Sequence, residues 1–141
     1  MMKLGGRLLA TAFLLYHFTL PLFASDDKPS FPQENIPVVI LSALDKITTQ
    51  LSTIEIRQNE TVRFGTLEIT MRHCRSNPPE ETPESVAFLE IQEVGHNQKK
   101  KTVFSGWMFA SSPALSPLEH SVYDVWVKTC KMASGPVSMG R

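Results

Sequence analysis

The chain has 141 residues, of which 14 are basic and 14 acidic, so its formal net charge is zero. A chain of this length is typical of one domain with a modest hydrophobic core. Because there is no excess of basic residues, nucleic acid is not a predicted partner.

Residues 1–24 have the pattern of a secretory signal peptide. Lys3 and Arg7 form the positively charged start, residues 8–20 form an apolar run, and Ala24 supplies the small residue at the predicted cleavage point. Cleavage removes Lys3 and Arg7 from the 14 basic residues, which leaves 12 basic residues and 14 acidic ones. The exported chain is therefore predicted to be slightly acidic.

The alternative for this segment is an uncleaved membrane anchor. A spanning helix needs about 20 apolar residues. The apolar run here is shorter and contains His17. Cleavage is favoured, and no integral membrane segment is predicted after it.

The predicted domain covers residues 38–130 and lies between two irregular ends. Residues 25–37 contain three prolines and charges of both signs, which predicts a flexible leader. Residues 131–141 contain Gly, Pro and Ser without periodicity, which predicts a disordered tail.

Within the domain, β-branched and aromatic residues recur in short runs separated by turn-forming residues. The predicted strands are Val38–Leu44, Ile47–Ile56, a short strand with Val62 and Phe64, Thr66–Cys74, Ser85–Val94, Thr102–Ala110 and Val122–Cys130. A short helix over residues 42–47, between the first and second predicted strands, is the alternative there. The pattern predicts an all-β, single-domain antiparallel sandwich or small barrel of about seven strands.

One corner of the domain, residues 111–120, is rich in proline and serine. Ser112 and Ser116 each precede a proline, which favours one short helical turn. Glu119 stands three residues after Ser116, the spacing of a capping box. The next strand begins soon afterwards, so the helical segment must be brief.

Cys74 and Cys130 are the cysteines of the chain. An even number of cysteines in an exported protein predicts one disulfide. Regular alternation places each cysteine on the strand face opposite the apolar residues of its own strand.

Large aromatic side chains cluster late in the chain, at Trp107, Phe109, Tyr123 and Trp126. Aromatic residues in strands usually pack in a hydrophobic core. The alternative is that they form a binding face, with Ser112, Glu119 and His120 of the adjoining corner as polar members. If all four rings are buried, the corner becomes the better contact site.

A hydrolase or envelope-modifying enzyme is the alternative functional class. His120, Asp124 and a corner serine (Ser111, Ser112 or Ser116) contain the residue types of a catalytic triad, but no nucleophile-elbow motif surrounds them. No catalytic residue is therefore predicted. Phosphate-binding and dinucleotide-binding glycine motifs are also missing from the sequence.

Cysteine and metal chemistry are disfavoured at His73 and Cys74. Neighbouring residues on a strand point to opposite faces, which is poor geometry for activating a thiolate. His73, Cys74 and His120 have no recognised zinc-ligand spacing. Neither a metal nor a cofactor is predicted.

Two exposed segments offer further binding alternatives. Lys99–Lys101 is interpreted as a solvated hairpin tip, with a patch for anionic lipid or polymer as the alternative. The proline-rich acidic loop from Asn77 to Glu84 is a candidate inhibitor-like binding loop.

Three segments together resemble a known family. They are residues 43–48 (ALDKIT), residues 62–70 (VRFGTLEIT) and residues 104–126, which include SGWMFASSP and HSVYDVW. They resemble an uncharacterised exported family of alphaproteobacteria, a domain of unknown function similar to DUF2155. The family usually has a glycine-containing turn where this chain has residues 57–60, and Asn59 tolerates the same backbone.

The resemblance implies a Gram-negative envelope protein located in the periplasm, and it carries no catalytic residue. Together with the residue patterns, it predicts a periplasmic accessory or binding module without catalysis. The predicted partner is an envelope protein or polymer.

Overall fold

The computed structural model describes residues 35–134. The predicted signal peptide, most of the predicted leader and the last seven residues of the predicted tail lie outside this range. No helix within residues 35–134 is long and apolar enough to cross a bilayer.

Seven antiparallel strands and one short 3₁₀ helix make up the described part of the chain. The elements are β1 (Asn35–Asp45), β2 (Gln50–Arg57), β3 (Thr61–Phe64), β4 (Leu67–Ser76), β5 (Ser85–Val94), β6 (Lys100–Phe109), the 3₁₀ helix (Pro113–Leu115) and β7 (Tyr123–Ser134). The predicted all-β class, strand number and single helical turn are confirmed. Residues 42–45 belong to β1, so the helical alternative there is wrong.

The strands form two sheets that face each other as a sandwich. One sheet has the order β2-β1-β7 and the other has the order β3-β4-β5-β6. The core lies between them and is built from alternate side chains of both sheets, among them Leu41, Val127, Ile69 and Leu89. These four side chains are almost completely buried. Burial of this apolar surface is the main stabilising contribution to a fold of this kind.

Strand pairing extends beyond the predicted domain at both ends. Residues 35–37 pair with residues 132–134, so β1 and β7 are longer than predicted. The prediction of an irregular leader through residue 37 and of an irregular tail from residue 131 is wrong for these residues. The two segments are ordered by pairing with each other, and the Pro37 carbonyl also accepts from the Gln58 N–H at 3.0 Å; local composition does not reveal these contacts.

Four turns use backbone conformations with positive φ, at Thr49, Asn59, Gly65 and Gln98. Asn59 has φ +61°, as expected for the turn between β2 and β3, and Gly65 has φ +57° between β3 and β4. A Cβ atom at Gly65 would also collide with the ring of Tyr123, whose Cζ would lie 2.5 Å away. Glycine is required there for both reasons.

A disulfide joins the two sheets. Cys74 of β4 bonds to Cys130 of β7, with Cα atoms 5.9 Å apart, and Ser76 Oγ donates to the Cys130 carbonyl at 2.8 Å. Both cysteines are buried in the core. The predicted pairing is confirmed, but the predicted face is wrong.

The reason is a β-bulge in each cysteine-bearing strand. In β4 the register shifts between Met71 and His73, and in β7 it shifts between Val127 and Thr129, leaving one extra residue in each strand. An extra residue reverses the alternation of the side chains that follow it. Both cysteines are thereby turned inward, three positions after a core residue.

Candidate functional site

The outer side of the four-stranded sheet carries an apolar patch, here called the aromatic face. It consists of Val86 and Phe88 of β5 and Trp107 and Phe109 of β6. The register pairs Val86 with Phe109 and Phe88 with Trp107. These four side chains therefore lie on adjacent positions of one surface.

Trp107 is the most exposed member of the aromatic face, with 43% of its surface accessible. Its ring meets Phe88 edge to face, with the centroids 5.4 Å apart and the planes at 82°. This contact restrains the indole while leaving much of it in solvent. A restrained, exposed tryptophan is characteristic of binding hot spots.

The face is exposed because β6 alternates cleanly from Phe104 to Phe109. Met108 is buried in the core, and Gly106 leaves room for the Phe104 ring, which would lie 3.6 Å from a Cβ atom at position 106. The intervening residues Ser105, Trp107 and Phe109 therefore turn outward.

Polar and charged residues border the aromatic face along β4. Arg75 is the cross-strand partner of Val86, and His73 is that of Phe88. Arg72, the extra residue of the β4 bulge, forms an ion pair with Glu90 at 2.9 Å. An apolar centre with a polar border is the usual arrangement of a protein interaction site.

The predicted binding residues do not form one surface. Tyr123 belongs to the inner side of the sandwich, where its ring lies edge to face with Phe64 at 5.3 Å and stacks on His120 at 5.2 Å. Trp126 lies on the outer side of the three-stranded sheet, paired across the strands with Ser42. Only Trp107 and Phe109, of the four predicted rings, share a face.

Trp126 borders a shallow cleft of about 330 Å³ beside the corner. Its lining is mainly apolar and consists of Pro113, Ala114, Pro117, Leu118, Asp124, Val125 and Trp126. Leu118 is buried and belongs to the core cluster. The corner is therefore anchored to the sandwich on one side and forms the wall of the cleft on the other.

Ser112 and Glu119 do not cap the corner as the capping motifs predict. The hydroxyl of Ser112 makes no capping bond to the 3₁₀ helix; instead its backbone N–H donates to the Phe109 carbonyl at 3.3 Å. Glu119 is exposed, and no capping bond from it is found within residues 35–134. Residues 116–119 remain outside any helix because Leu118 turns into the core.

Glu84 performs the anchoring function at the start of the corner. Its carboxylate accepts hydrogen bonds from the Ser111 hydroxyl, from the Ser111 N–H at 3.1 Å and from the Ser85 N–H at 2.9 Å. The Ser111 hydroxyl is the main cause of a lowered pKa for this carboxyl, followed by the Ser111 N–H. Glu84 thus connects the loop after β4 to the corner.

His120 is a structural residue of the corner. Its side chain is only 7% exposed, and its Nδ1 accepts from the N–H groups of Val122 and Tyr123, both at 3.1 Å. Because Nδ1 is an acceptor, the proton of the neutral ring lies on Nε2, which donates to Glu93 at 3.1 Å. Both ring nitrogens are therefore occupied by partners within the fold.

The residues of the hydrolase alternative are not brought together. Asp124 pairs with Lys46 at 3.3 Å rather than with His120. No hydrogen bond joins His120 to a serine of the corner anywhere in the described chain. A general base needs a free nitrogen within reach of its nucleophile, and the geometry around His120 supplies none.

The other predicted elements remain on the surface. Lys99–Lys101 is exposed at the start of β6, and Lys100 pairs with Glu68 at 2.6 Å. In the loop from Asn77 to Glu84, the Asn77 side chain donates to the Thr82 carbonyl at 2.9 Å. Across residues 35–134, no group of three or more His, Cys, Asp or Glu side chains has the arrangement of a metal site.

Val86 and Phe88 are the members of the aromatic face that sequence reasoning missed. Ala87, Leu89 and Ile91 form the buried side of β5 and make its apolar alternation evident. The remaining signal was that the opposite face of the same strand also begins with two apolar residues. These two residues can be recognised as part of the aromatic face only when β5 is known to pair with β6, the strand that carries Trp107.

Comparison with known proteins gives the relationship of the chain but no activity. The profile of a family described as "Uncharacterized protein conserved in bacteria (DUF2155)" matches residues 39–130. A similar protein, "Uncharacterized protein RP359" of Rickettsia prowazekii (strain Madrid E), is 31% identical over 88 residues. That alignment covers 62% of this chain and 57% of the relative, so the chain corresponds to little more than half of that protein.

No solved structure matches the chain significantly. The profile match covers most of the described domain, including both cysteines and the segment from Trp107 to Trp126. The protein therefore belongs to the DUF2155 family of bacteria.

Proposed function

We propose that this protein is a non-catalytic accessory or binding module of the bacterial cell envelope, exported to the periplasm, and that it recognises an envelope partner through the aromatic face. The observation that carries the proposal is Trp107, an exposed indole held against Phe88 in an apolar patch that polar residues border along β4. Such a surface has the composition of the centre of an interface.

Export is supported by the sequence of residues 1–24 and by the disulfide. Structural disulfides persist in oxidising compartments such as the periplasm. The bond between Cys74 and Cys130 is buried and joins two sheets, as expected for a structural bond rather than a reactive one.

The choice of a binding module over a hydrolase rests on the corner. The nitrogens of His120 are bonded to Glu93 and to two backbone N–H groups, and Asp124 is paired with Lys46. These contacts stabilise the corner and leave no assembled nucleophile and base. The exposed indole of the aromatic face has no comparable structural role within residues 35–134.

Crosslinking in intact cells tests this proposal. A photoreactive amino acid at position 107 is expected to give a discrete adduct with an envelope component, and one at position 115 is not, although Leu115 is also exposed. Leu115 is the matched control because it is an exposed apolar residue of the corner that does not belong to the aromatic face.

The expected outcome has two further parts. The captured chain should begin at Ser25, and Trp107→Ala should abolish the interaction while changing the unfolding free energy by less than about 1.5 kcal/mol, because the side chain is half exposed. Equal adducts from both positions, or a cytosolic product with its leader intact, would contradict the proposal.

A further inference from the structure

The open edge of β6 lies directly beside the aromatic face. β6 is the last strand of the four-stranded sheet and pairs only with β5. The backbone of an edge strand presents unpaired N–H and C=O groups to solvent. Which residues present them follows from the hydrogen-bonding register.

The Ala110 N–H donates to the Ser85 carbonyl at 2.8 Å, which marks these residues as a hydrogen-bonded pair. In an antiparallel ladder such pairs alternate with non-hydrogen-bonded pairs. Ser105, Trp107 and Phe109 therefore direct their N–H and C=O groups away from β5. Apart from the Phe109 carbonyl, which accepts from Ser112, these groups have no hydrogen-bond partner within residues 35–134.

From Phe104 to Phe109 this edge also lacks the features that normally discourage strand pairing. From Thr102 to Ser112 the sequence TVFSGWMFASS contains no charged residue and no proline. The other three edge strands contain charges: β2 has Glu55, β3 has Arg63 and β7 has Lys128. Native proteins protect exposed edges with charges, prolines or bulges; β6 has Lys100 and Lys101 at its start and a bulge at Val103, but none of these features from Phe104 to Phe109.

We propose that the edge of β6 between Ser105 and Phe109 binds an extended segment of a partner protein as a fifth, antiparallel strand of the four-stranded sheet. The inference rests on the proposed function and specifies its mode of binding. Main-chain hydrogen bonds to Ser105 and Trp107 supply affinity, and alternate apolar side chains of the partner pack on Trp107 and Phe109. This mode of recognition requires a free edge beside side-chain contacts, as found here.

Charge complementarity identifies the chemistry of the segment. An antiparallel partner runs from Phe109 towards Lys99–Lys101, so its carboxyl end lies at the lysines. Lys99 and Lys101 are exposed, and neither has an ion pair within the described residues. The segment should therefore carry acidic residues about six to eight positions after the one opposite Trp107, the number of residues that separate Trp107 from Lys101 and Lys99.

The same argument disfavours a second copy of this chain as the occupant. Two β6 strands paired about Trp107 would place residues 99–101 opposite the 3₁₀ helix at residues 113–115. That segment has no acidic residue and is not extended. The lysines would remain uncompensated, and the added strand would end early.

A displayed library of random decapeptides, selected on the oxidised domain, tests the inference. Selected peptides are expected to alternate apolar and polar residues and to be enriched in Asp or Glu near the carboxyl end. A matched synthetic peptide that ends in lysines should bind at least tenfold more weakly. On binding, the amides of Ser105 and Trp107 should exchange with solvent at least tenfold more slowly.

Two changes isolate the main-chain contribution. N-methylation of the peptide amides that face β6 removes donors without altering the protein and should weaken binding at least tenfold. Ser105→Pro removes the corresponding donor from the protein. Thr53→Pro, its control, lies on the open edge of β2 in the other sheet and should leave binding unchanged.

The outcomes separate the inference from the proposed function. If selected peptides bind through Trp107 but tolerate N-methylation, strand addition is wrong while recognition by the aromatic face stands. If no peptide is selected, or if the protein doubles its mass with concentration in a manner abolished by Ser105→Pro, a partner segment is not the occupant. Loss of crosslinking at position 107 in cells, by contrast, would contradict the proposed function itself.

Discussion

At the scale of single residues, His120 and Glu84 hold the corner between β6 and β7 in place. His120 satisfies two backbone donors that open β7, and Glu84 binds the start of the corner through Ser111. In the sequence, His120 was a candidate for catalysis or binding and Glu84 was only the last residue of a loop. Their roles depend on Glu93, Ser85 and Ser111, which other segments of the chain supply.

Replacement of His120 by alanine should destabilise the fold by about 2 kcal/mol. The substitution leaves the Val122 and Tyr123 N–H groups and the Glu93 carboxylate without their partner, and a buried unsatisfied polar group costs about 1–3 kcal/mol. Urea unfolding would measure the change. His96→Ala, in the exposed turn before β6, is the control and should be neutral; equal effects of the two would contradict this role.

Glu84 should make stability depend on acid. Its folded-state pKa is lowered from an ordinary value of 4.5, so its contribution is present above that pH and is lost as the pH falls through the folded-state value. Glu84→Gln should therefore be less stable than the wild type at pH 7, and the difference should shrink as the pH falls below 4.5 and through the folded-state pKa. Unfolding curves across this range would show it, with Glu81→Gln as the control; a constant difference at every pH would argue against the mechanism.

At the scale of elements, the two bulges decide where the cysteines point. Regular alternation from Met71 or from Val127 would direct the following cysteine outward, and one extra residue in each strand directs it inward. The sequence therefore predicts the bond through cysteine number and compartment, whereas it predicts the wrong face. A bulge is chosen by the pairing of two strands, so single-strand periodicity does not detect it.

Changes of chain length in β7 should reveal this dependence. Deletion of Lys128 removes the extra residue and leaves Cys130 facing inward, so the disulfide should still form. Insertion of one alanine between Thr129 and Cys130 should turn the cysteine outward and leave free thiols. Thiol titration of the two purified proteins would distinguish them, and free thiols in the deletion variant would show that the bulge has another role.

At the scale of the whole molecule, the sandwich depends on contacts between its two sheets. These contacts are the shared apolar core and the disulfide. The disulfide joins Cys74 and Cys130, two residues that are 56 positions apart in the sequence. A cross-link between distant segments stabilises the fold chiefly by restricting the unfolded chain, although the balance of entropy and enthalpy depends on the model used.

Replacement of both cysteines by alanine should lower the free energy of unfolding by about 4 kcal/mol, the value for a closed loop of this length. Denaturant unfolding of the variant, and of the wild type with reductant, should give the same reduced midpoint. If reductant has no effect while the variant is destabilised, the loss would come from core packing instead of the cross-link.

The sequence by itself determined the all-β class, seven strands, the paired cysteines and family membership. Alternation, turn residues and motif segments are local properties that can be recognised along one strand at a time. Tertiary structure alone decided that Trp107 and Phe109 share a surface with Val86 and Phe88, that His120 is bonded within the corner, and that the edge of β6 is open. Each of these depends on which strands lie side by side, because the pairing of segments distant in sequence determines which faces and edges meet solvent.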